Sequence, residues 1–185
     1  MKKLYVTVLL LSAIIFSGYQ MSEQVYVIDA EQNAYLHNNK GLMYLDENQY
    51  YPAIQEFKIA ISLSPNVQAS AVFYNNLGET YMKLNNPQLA QDCFEKALQQ
   101  FPLNFRYYQN VAKCYYQLGY AKEQIKHSYS DENPLGLILR GLLFELGGDN
   151  INAISALDEF VSKEPDLIIT EAVKQHLQEL VKKTY

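Results

Sequence analysis

The sequence contains no Trp and only 8 Gly in 185 residues, and it lacks an excess of positive charge. The scarcity of glycine favours a helical fold with few tight turns. Lys and Arg number 15 and Asp and Glu number 20, so the formal net charge is −5. The basic residues are scattered instead of lying on one stripe, which disfavours binding to the phosphates of nucleic acid.

Hydrophobic residues make up 49% of the chain, which is enough to bury the core of one domain of ordinary size. The bulk of the chain is therefore predicted to fold. The 16 Tyr, together with many Asn and Gln, indicate a polar and weakly charged surface that identifies no substrate.

A basic start and an apolar run open the chain. Lys2 and Lys3 precede the run from Leu4 to Phe16, which is short of the roughly 20 apolar residues that span a membrane. Residues 1–18 are therefore predicted to be a signal peptide, or an N-terminal anchor if cleavage fails. No Cys follows the run, so a lipid anchor on a Cys at that point is excluded. Residues 19–33 would form a polar lead-in.

Small, aromatic and proline residues recur in register farther along the chain. The clearest segment contains Tyr74, Leu77, Gly78, Tyr81, Ala90, Phe94, Ala97 and Pro102. The same relative places in an earlier segment hold Gly41, Tyr44, Ala53, Phe57, Ala60 and Pro65. A later segment has Gly141, Phe144, Ala153, Leu157 and Pro165. Between the clearest segment and this later one, only the first half of the pattern recurs, at Tyr108, Val111, Ala112 and Tyr115.

This spacing predicts pairs of antiparallel helices. Small residues such as Gly78 and Ala90 let two helices approach closely, Phe94 fills the space between them, and Pro102 ends the second helix. Each pair then has a half-buried face that only the next pair can cover, so the array needs several pairs and a closing helix.

We predict an all-α solenoid of four pairs and a C-terminal capping helix. The pairs are 34–67, 71–104, 105–133 and 134–167, with residues 68–70 as a linker after the first, and the cap is 168–183. Ala112 and Gly141 are only 29 residues apart, against 34 between Gly78 and Ala112, so the second helix of the third pair, near 121–127, should be about a turn short. Residues 128–134 should form a loop, with Pro134 at or near the next helix start.

The recurring positions resemble the tetratricopeptide-repeat family over about four-fifths of the chain. The resemblance implies a right-handed superhelix whose concave groove, lined by the first helix of each pair, binds extended or helical peptides. The groove residues would be Tyr35, Asn38, Leu42 and Leu45 from the first pair, Val72, Asn75, Glu79 and Met82 from the second, and Arg106, Gln109, Lys113 and Tyr116 from the third. The alternative is that these residues form an ordinary solvated helix face.

Some family members bind a C-terminal carboxylate through a Lys and an Asn of the first pair, an Asn of the second and basic residues of the third. Asn76 and Arg106 occupy compatible places here, but Asn38 and Leu42 stand where that Lys and Asn are expected. That activity is therefore not carried over to this chain.

No catalytic, metal-binding or cofactor-binding constellation is visible, so we predict a protein that is not an enzyme. His37, His127 and His176 are isolated from one another and from any nucleophile pattern. Cys93 and Cys114 lie on predicted neighbouring helices, where they are either two small buried residues or, in an oxidising compartment, a disulfide.

Two functions follow from this reading. The first is an exported, periplasmic or otherwise extracytoplasmic adaptor that binds a protein or peptide partner in its groove, in an envelope assembly. The second is a structural or self-associating subunit of a membrane-associated complex, with no free groove ligand. An N-terminal segment retained in the inner membrane would favour the second.

Overall fold

Nine α-helices and no strand make up the residues described by the computed structural model, which are 29–63, 67–129 and 132–185. The helices are α1 (Ala30–Asp46), α2 (Tyr50–Leu63), α3 (Val67–Lys83), α4 (Pro87–Gln100), α5 (Phe105–Leu118), α6 (Ala121–Ser128), α7 (Gly136–Leu146), α8 (Asn150–Lys163) and α9 (Thr170–Thr184). Consecutive helices pack on one another, and the most extensive contacts are those of α1 with α2, α3 with α4 and α7 with α8. The predicted helix-pair solenoid is confirmed.

Three glycines set the close approach within the pairs. A Cβ atom built on Gly41 would lie 2.5 Å from the Phe57 ring, and one on Gly78 would lie 2.6 Å from the Phe94 ring. In the fourth pair a Cβ atom on Gly141 would lie 2.7 Å from the Leu157 side chain. Since carbon atoms in contact need more than 3 Å, only glycine fits opposite the large residue that lies sixteen positions later.

The turn inside each pair uses a residue with positive φ. Asn48 and Asn85 serve the first two pairs, and Gly119 and Gly148 serve the third and fourth. Asn and Gly are the residue types that adopt this left-handed conformation most readily, which explains their recurrence at the turns. Four helices begin at an Asp or Asn whose side chain accepts a hydrogen bond from a backbone N–H of the first turn. These N-caps are Asp29 of α1, Asn86 of α4, Asn104 of α5 and Asp149 of α8.

The third pair is irregular, as its shortened sequence predicts. Helix α6 has 8 residues, whereas α2, α4 and α8 have 14 each. None of its side chains is buried, and it packs mainly against α7 instead of its own partner α5. The array therefore loses its regular geometry between the third and fourth pairs.

The capping helix closes the core at the C-terminal end. Helix α9 buries Val173 and Leu180 in a cluster that also contains Leu157 and Phe160 of α8. The opposite face of α9 carries exposed polar residues, which is what the last helix of a repeat array requires for contact with water.

Some predicted boundaries differ from the structure. Helix α1 begins at Ala30, inside the predicted lead-in, because the Asp29 carboxylate caps it by accepting a bond from the Gln32 N–H at 3.0 Å. The predicted linker 68–70 is part of α3, because Ala69 is buried in the core. Helix α7 begins at Gly136, two residues after Pro134, and α9 begins at 170 instead of 168. Residues 1–18 lie outside the described residues.

Both cysteines are buried free thiols. Burial raises the pKa of the Cys93 and Cys114 thiols to about 11, so both are protonated at neutral pH. The Cys114 thiol donates to the Pro87 carbonyl oxygen at 3.1 Å. The structure agrees with two small packed residues and contains no disulfide between them.

Candidate functional site

The first helices of the first three pairs, α1, α3 and α5, form one surface, which we call the first-helix face. Side-chain hydrogen bonds tie these helices together directly. The Asn76 amide donates to Asn38 Oδ1 at 2.8 Å, and the Asn110 amide donates to Asn75 Oδ1 at 2.8 Å. Asn38 and Asn75 are only 5% and 2% exposed, so these bonds take the place of hydrogen bonds to water. They also fix the position of each helix pair relative to the next.

We expect Asn76→Ala to lower the free energy of unfolding by about 1–2 kcal/mol, because the buried Asn38 amide oxygen loses its donor. Urea denaturation followed by circular dichroism measures this change. Asn39→Ala is the control, since Asn39 is exposed next to Asn38 on the same helix. Asn38→Ala combined with Asn76→Ala should cost less than the sum of the two single changes. Strict additivity would contradict a direct bond.

A pocket lies between α3 and α5 on the first-helix face, and it encloses about 490 Å³. Helix α3 contributes Glu79, Met82 and Lys83, helix α5 contributes Arg106, Gln109, Asn110 and Lys113, and Phe94 of α4 also lines it. The residues on each helix are spaced three or four apart, so they form one stripe per helix. The pocket therefore combines a polar rim with the apolar side chains of Met82 and Phe94.

The Glu79 carboxylate organises the polar side of the pocket. Its Oε2 accepts from the Arg106 guanidinium at 2.8 Å. Its Oε1 accepts from the Asn110 amide at 2.8 Å and from the Asn75 amide at 2.9 Å. Since three donors converge on one carboxylate, the walls of the pocket are held in place before any partner arrives.

Five of the predicted groove residues come together in this pocket, namely Glu79, Met82, Arg106, Gln109 and Lys113. Sequence reasoning missed Lys83 and Asn110 as lining residues. Each lies four positions after a predicted one, Glu79 or Arg106, so helical spacing was the signal that could have found them.

The other predicted groove residues lie elsewhere. Asn38 and Asn75 are buried and bonded to neighbouring helices, because their amides connect the pairs, so they present no free face to a partner. Leu42 packs with Leu45 against the core of the first pair. The Tyr35 ring meets the Phe73 ring edge-on at 5.6 Å. Two further side chains are exposed outside the pocket, those of Val72 and of Tyr116, which is 50% exposed.

Two histidines that are isolated in sequence have carboxylate partners on other helices. His37 Nδ1 lies 2.6 Å from Glu56 Oε2, and His176 Nε2 lies 2.6 Å from Glu145 Oε2. These contacts join α1 to α2 and α7 to α9. In the described part of the chain, no group of three or more His, Cys, Asp and Glu side chains could hold a metal ion.

Two family models, both described as tetratricopeptide repeat, match residues 34–67 and 71–104. These are the ranges that the spacing predicts for the first and second pairs. The chain contains tetratricopeptide repeats. The resemblance seen in the sequence is therefore confirmed, and the third and fourth pairs extend the same architecture.

Solved structures support the fold of this tetratricopeptide-repeat chain. The MamA protein aligns with a TM-score of 0.51 and 18% identity, over 82% of this chain and 87% of MamA. A tetratricopeptide repeat protein from Parabacteroides merdae gives 0.52 and 18%, over 82% of this chain but 61% of its own. Pseudomonas aeruginosa pilF gives 0.50 and 20%, over 80% of this chain and 68% of its own. Comparison with curated proteins finds no match.

Proposed function

We propose that this tetratricopeptide-repeat chain is a non-catalytic adaptor that binds a peptide segment of a protein partner on its first-helix face. The observation that carries the proposal is the pocket between α3 and α5, which is concave, partly apolar and braced by the Glu79 network. Preformed sites of this kind bind with less loss of conformational entropy than sites that must order their walls.

We further propose that the protein is exported and serves an envelope assembly in the periplasm or another extracytoplasmic compartment. Lys2, Lys3 and the apolar run to Phe16 support export, since a basic start and a short apolar run are the pattern of a signal peptide. The helices of the described residues include none with the length and hydropathy to cross a bilayer.

The test compares two double variants of the full chain in crosslinking capture from the native envelope, read by mass spectrometry. We expect Arg106→Ala with Tyr116→Ala to lower the recovery of the partner about tenfold, because an arginine and an aromatic ring are the side chains that most often dominate binding. The matched control is Tyr51→Ala with Lys58→Ala, which removes one ring and one cation from exposed positions of α2.

Loss of one polypeptide in the first variant and its retention in the control would support the adaptor. Recovery of only this chain, unchanged by Arg106→Ala and Tyr116→Ala, would support the self-associating subunit instead. Equal losses in both variants would contradict the assignment of the first-helix face, because the control side chains lie on α2, outside it.

A further inference from the structure

The pocket between α3 and α5 is positively charged in a protein that is negatively charged overall. Three cationic side chains line it, Lys83, Arg106 and Lys113, against the single carboxylate of Glu79, while the whole chain has a net charge of −5. The net charge of the side chains that line the pocket is thus opposite in sign to the net charge of the protein. A local reversal of this kind attracts ligand groups of the complementary charge.

Only one of the three cations is neutralised within the pocket. The Arg106 guanidinium pairs with Glu79 at 2.8 Å. Lys83 and Lys113 are exposed, and neither forms an ion pair with any residue that the structure describes. The two ammonium groups therefore supply the uncompensated charge, one from each wall.

The Glu79 carboxylate does not offer a binding site for a cation of a partner. Its two oxygens already accept from Arg106, Asn110 and Asn75. A ligand cation would have to break these bonds and would also face Lys83 and Lys113. The pocket is therefore selective against basic side chains.

Apolar surface lies next to the two lysines. Met82 and Phe94 line the same space, but Phe94 is only 1% exposed, so the partly exposed Met82 is the apolar side chain that a ligand can reach. The volume of about 490 Å³ holds more than one side chain. Because ammonium groups and apolar surface share one pocket, a ligand with a charged group alone would leave the apolar part in contact with water.

The geometry points to a partner segment in which an Asp or Glu side chain lies beside an apolar side chain. The carboxylate would face Lys83 and Lys113, and the apolar side chain would contact Met82, which is partly exposed in the same pocket. This inference rests on the proposed peptide-binding function and specifies its ligand. The ligand carboxylate is that of a side chain within a segment, and the test separates it from the carboxylate at the end of a chain.

The probe is an array of random dodecapeptides with an acetylated N-terminus, made once with an amidated and once with a free C-terminus. Fluorescently labelled full chain is applied as the wild type, as Lys83→Gln with Lys113→Gln, and as the matched control Lys40→Gln with Lys58→Gln. Lys40 and Lys58 are exposed on α1 and α2, outside the pocket.

We expect the wild type and the control to enrich amidated peptides that carry Asp or Glu next to an apolar residue. The pocket variant should bind the same peptides about five- to tenfold more weakly, because it loses two exposed charge contacts. Raising the salt concentration should reduce this difference, since exposed charges are screened.

Enrichment of peptides without acidic side chains, equally by wild type and pocket variant, would overturn the inference and leave the adaptor function standing. Binding restricted to peptides with a free C-terminus would also overturn it, since the carboxylate would then come from a chain end. Absence of any peptide binding by the wild type, combined with partner capture that Arg106→Ala and Tyr116→Ala do not affect, would overturn both proposals.

Discussion

Phe94→Ala is expected to lower the free energy of unfolding by about 3–5 kcal/mol, the usual cost of removing a phenyl ring from a packed core. Phe94 is 1% exposed, and its ring fills the space between α3 and α4 opposite Gly78. It also belongs to the largest core cluster, which joins α4 to the helices that follow. Since domains of this size are stable by roughly 5–15 kcal/mol, the loss would be a large part of the total.

Urea denaturation followed by circular dichroism at 222 nm measures the effect of Phe94→Ala on the full chain. Leu89→Ala is the control, because Leu89 lies on the same helix but is 43% exposed. Its replacement should lower the free energy of unfolding by less than about 1 kcal/mol. An equal decrease in the free energy of unfolding in the two variants would contradict the conclusion that the Phe94 ring fills the space between the helices of the second pair.

The pairing of the helices was predictable because the constraint is local and repeated. Gly41, Gly78 and Gly141 each meet the side chain sixteen residues later, so close approach leaves a fixed spacing in the sequence. The shortened α6 was also predictable, since the distance from Ala112 to Gly141 is a count of residues.

The helix starts were less predictable, because they depend on contacts that spacing does not record. Helix α3 extends four residues before the predicted Ala71, since Ala69 packs against Ala34, Ala60 and Phe73, which come from three different helices. The repeat pattern begins later than the helix. The pattern therefore marks the spacing that recurs from pair to pair and not the first hydrogen-bonded turn of the helix.

The candidate site was only partly predictable for a related reason. Helical spacing indicates which residues share a face, but it does not tell which of them bond to the next helix. Asn38 and Asn75 have the spacing of groove residues, but both are buried. Each accepts a hydrogen bond from an Asn of the next pair, Asn76 or Asn110. Whether an amide faces a partner or another helix is decided by the superhelix, and a single sequence does not record its curvature.

Gly78→Val is expected to lower the free energy of unfolding by about 3 kcal/mol, at the upper end of the usual cost of overpacking. A Cβ atom at this position would lie 2.6 Å from Phe94 Cε1, and the two further methyl groups of Val would need still more room. The ring cannot rotate away, because Phe94 is buried on all sides. Helices α3 and α4 would therefore have to separate, which also changes the pocket that α3 shares with α5.

A double-mutant cycle with Phe94→Ala tests whether this contact is the cause. In the Phe94→Ala background the Val side chain enters the space that the ring has left, so Gly78→Val should there be nearly neutral or stabilising. The two changes together should then destabilise the chain by less than the sum of the separate losses, by about 2 kcal/mol or more. Additive losses would mean that Val at position 78 acts through the backbone of α3 alone. The tetratricopeptide spacing of Gly78 and Phe94 would then have some origin other than their contact.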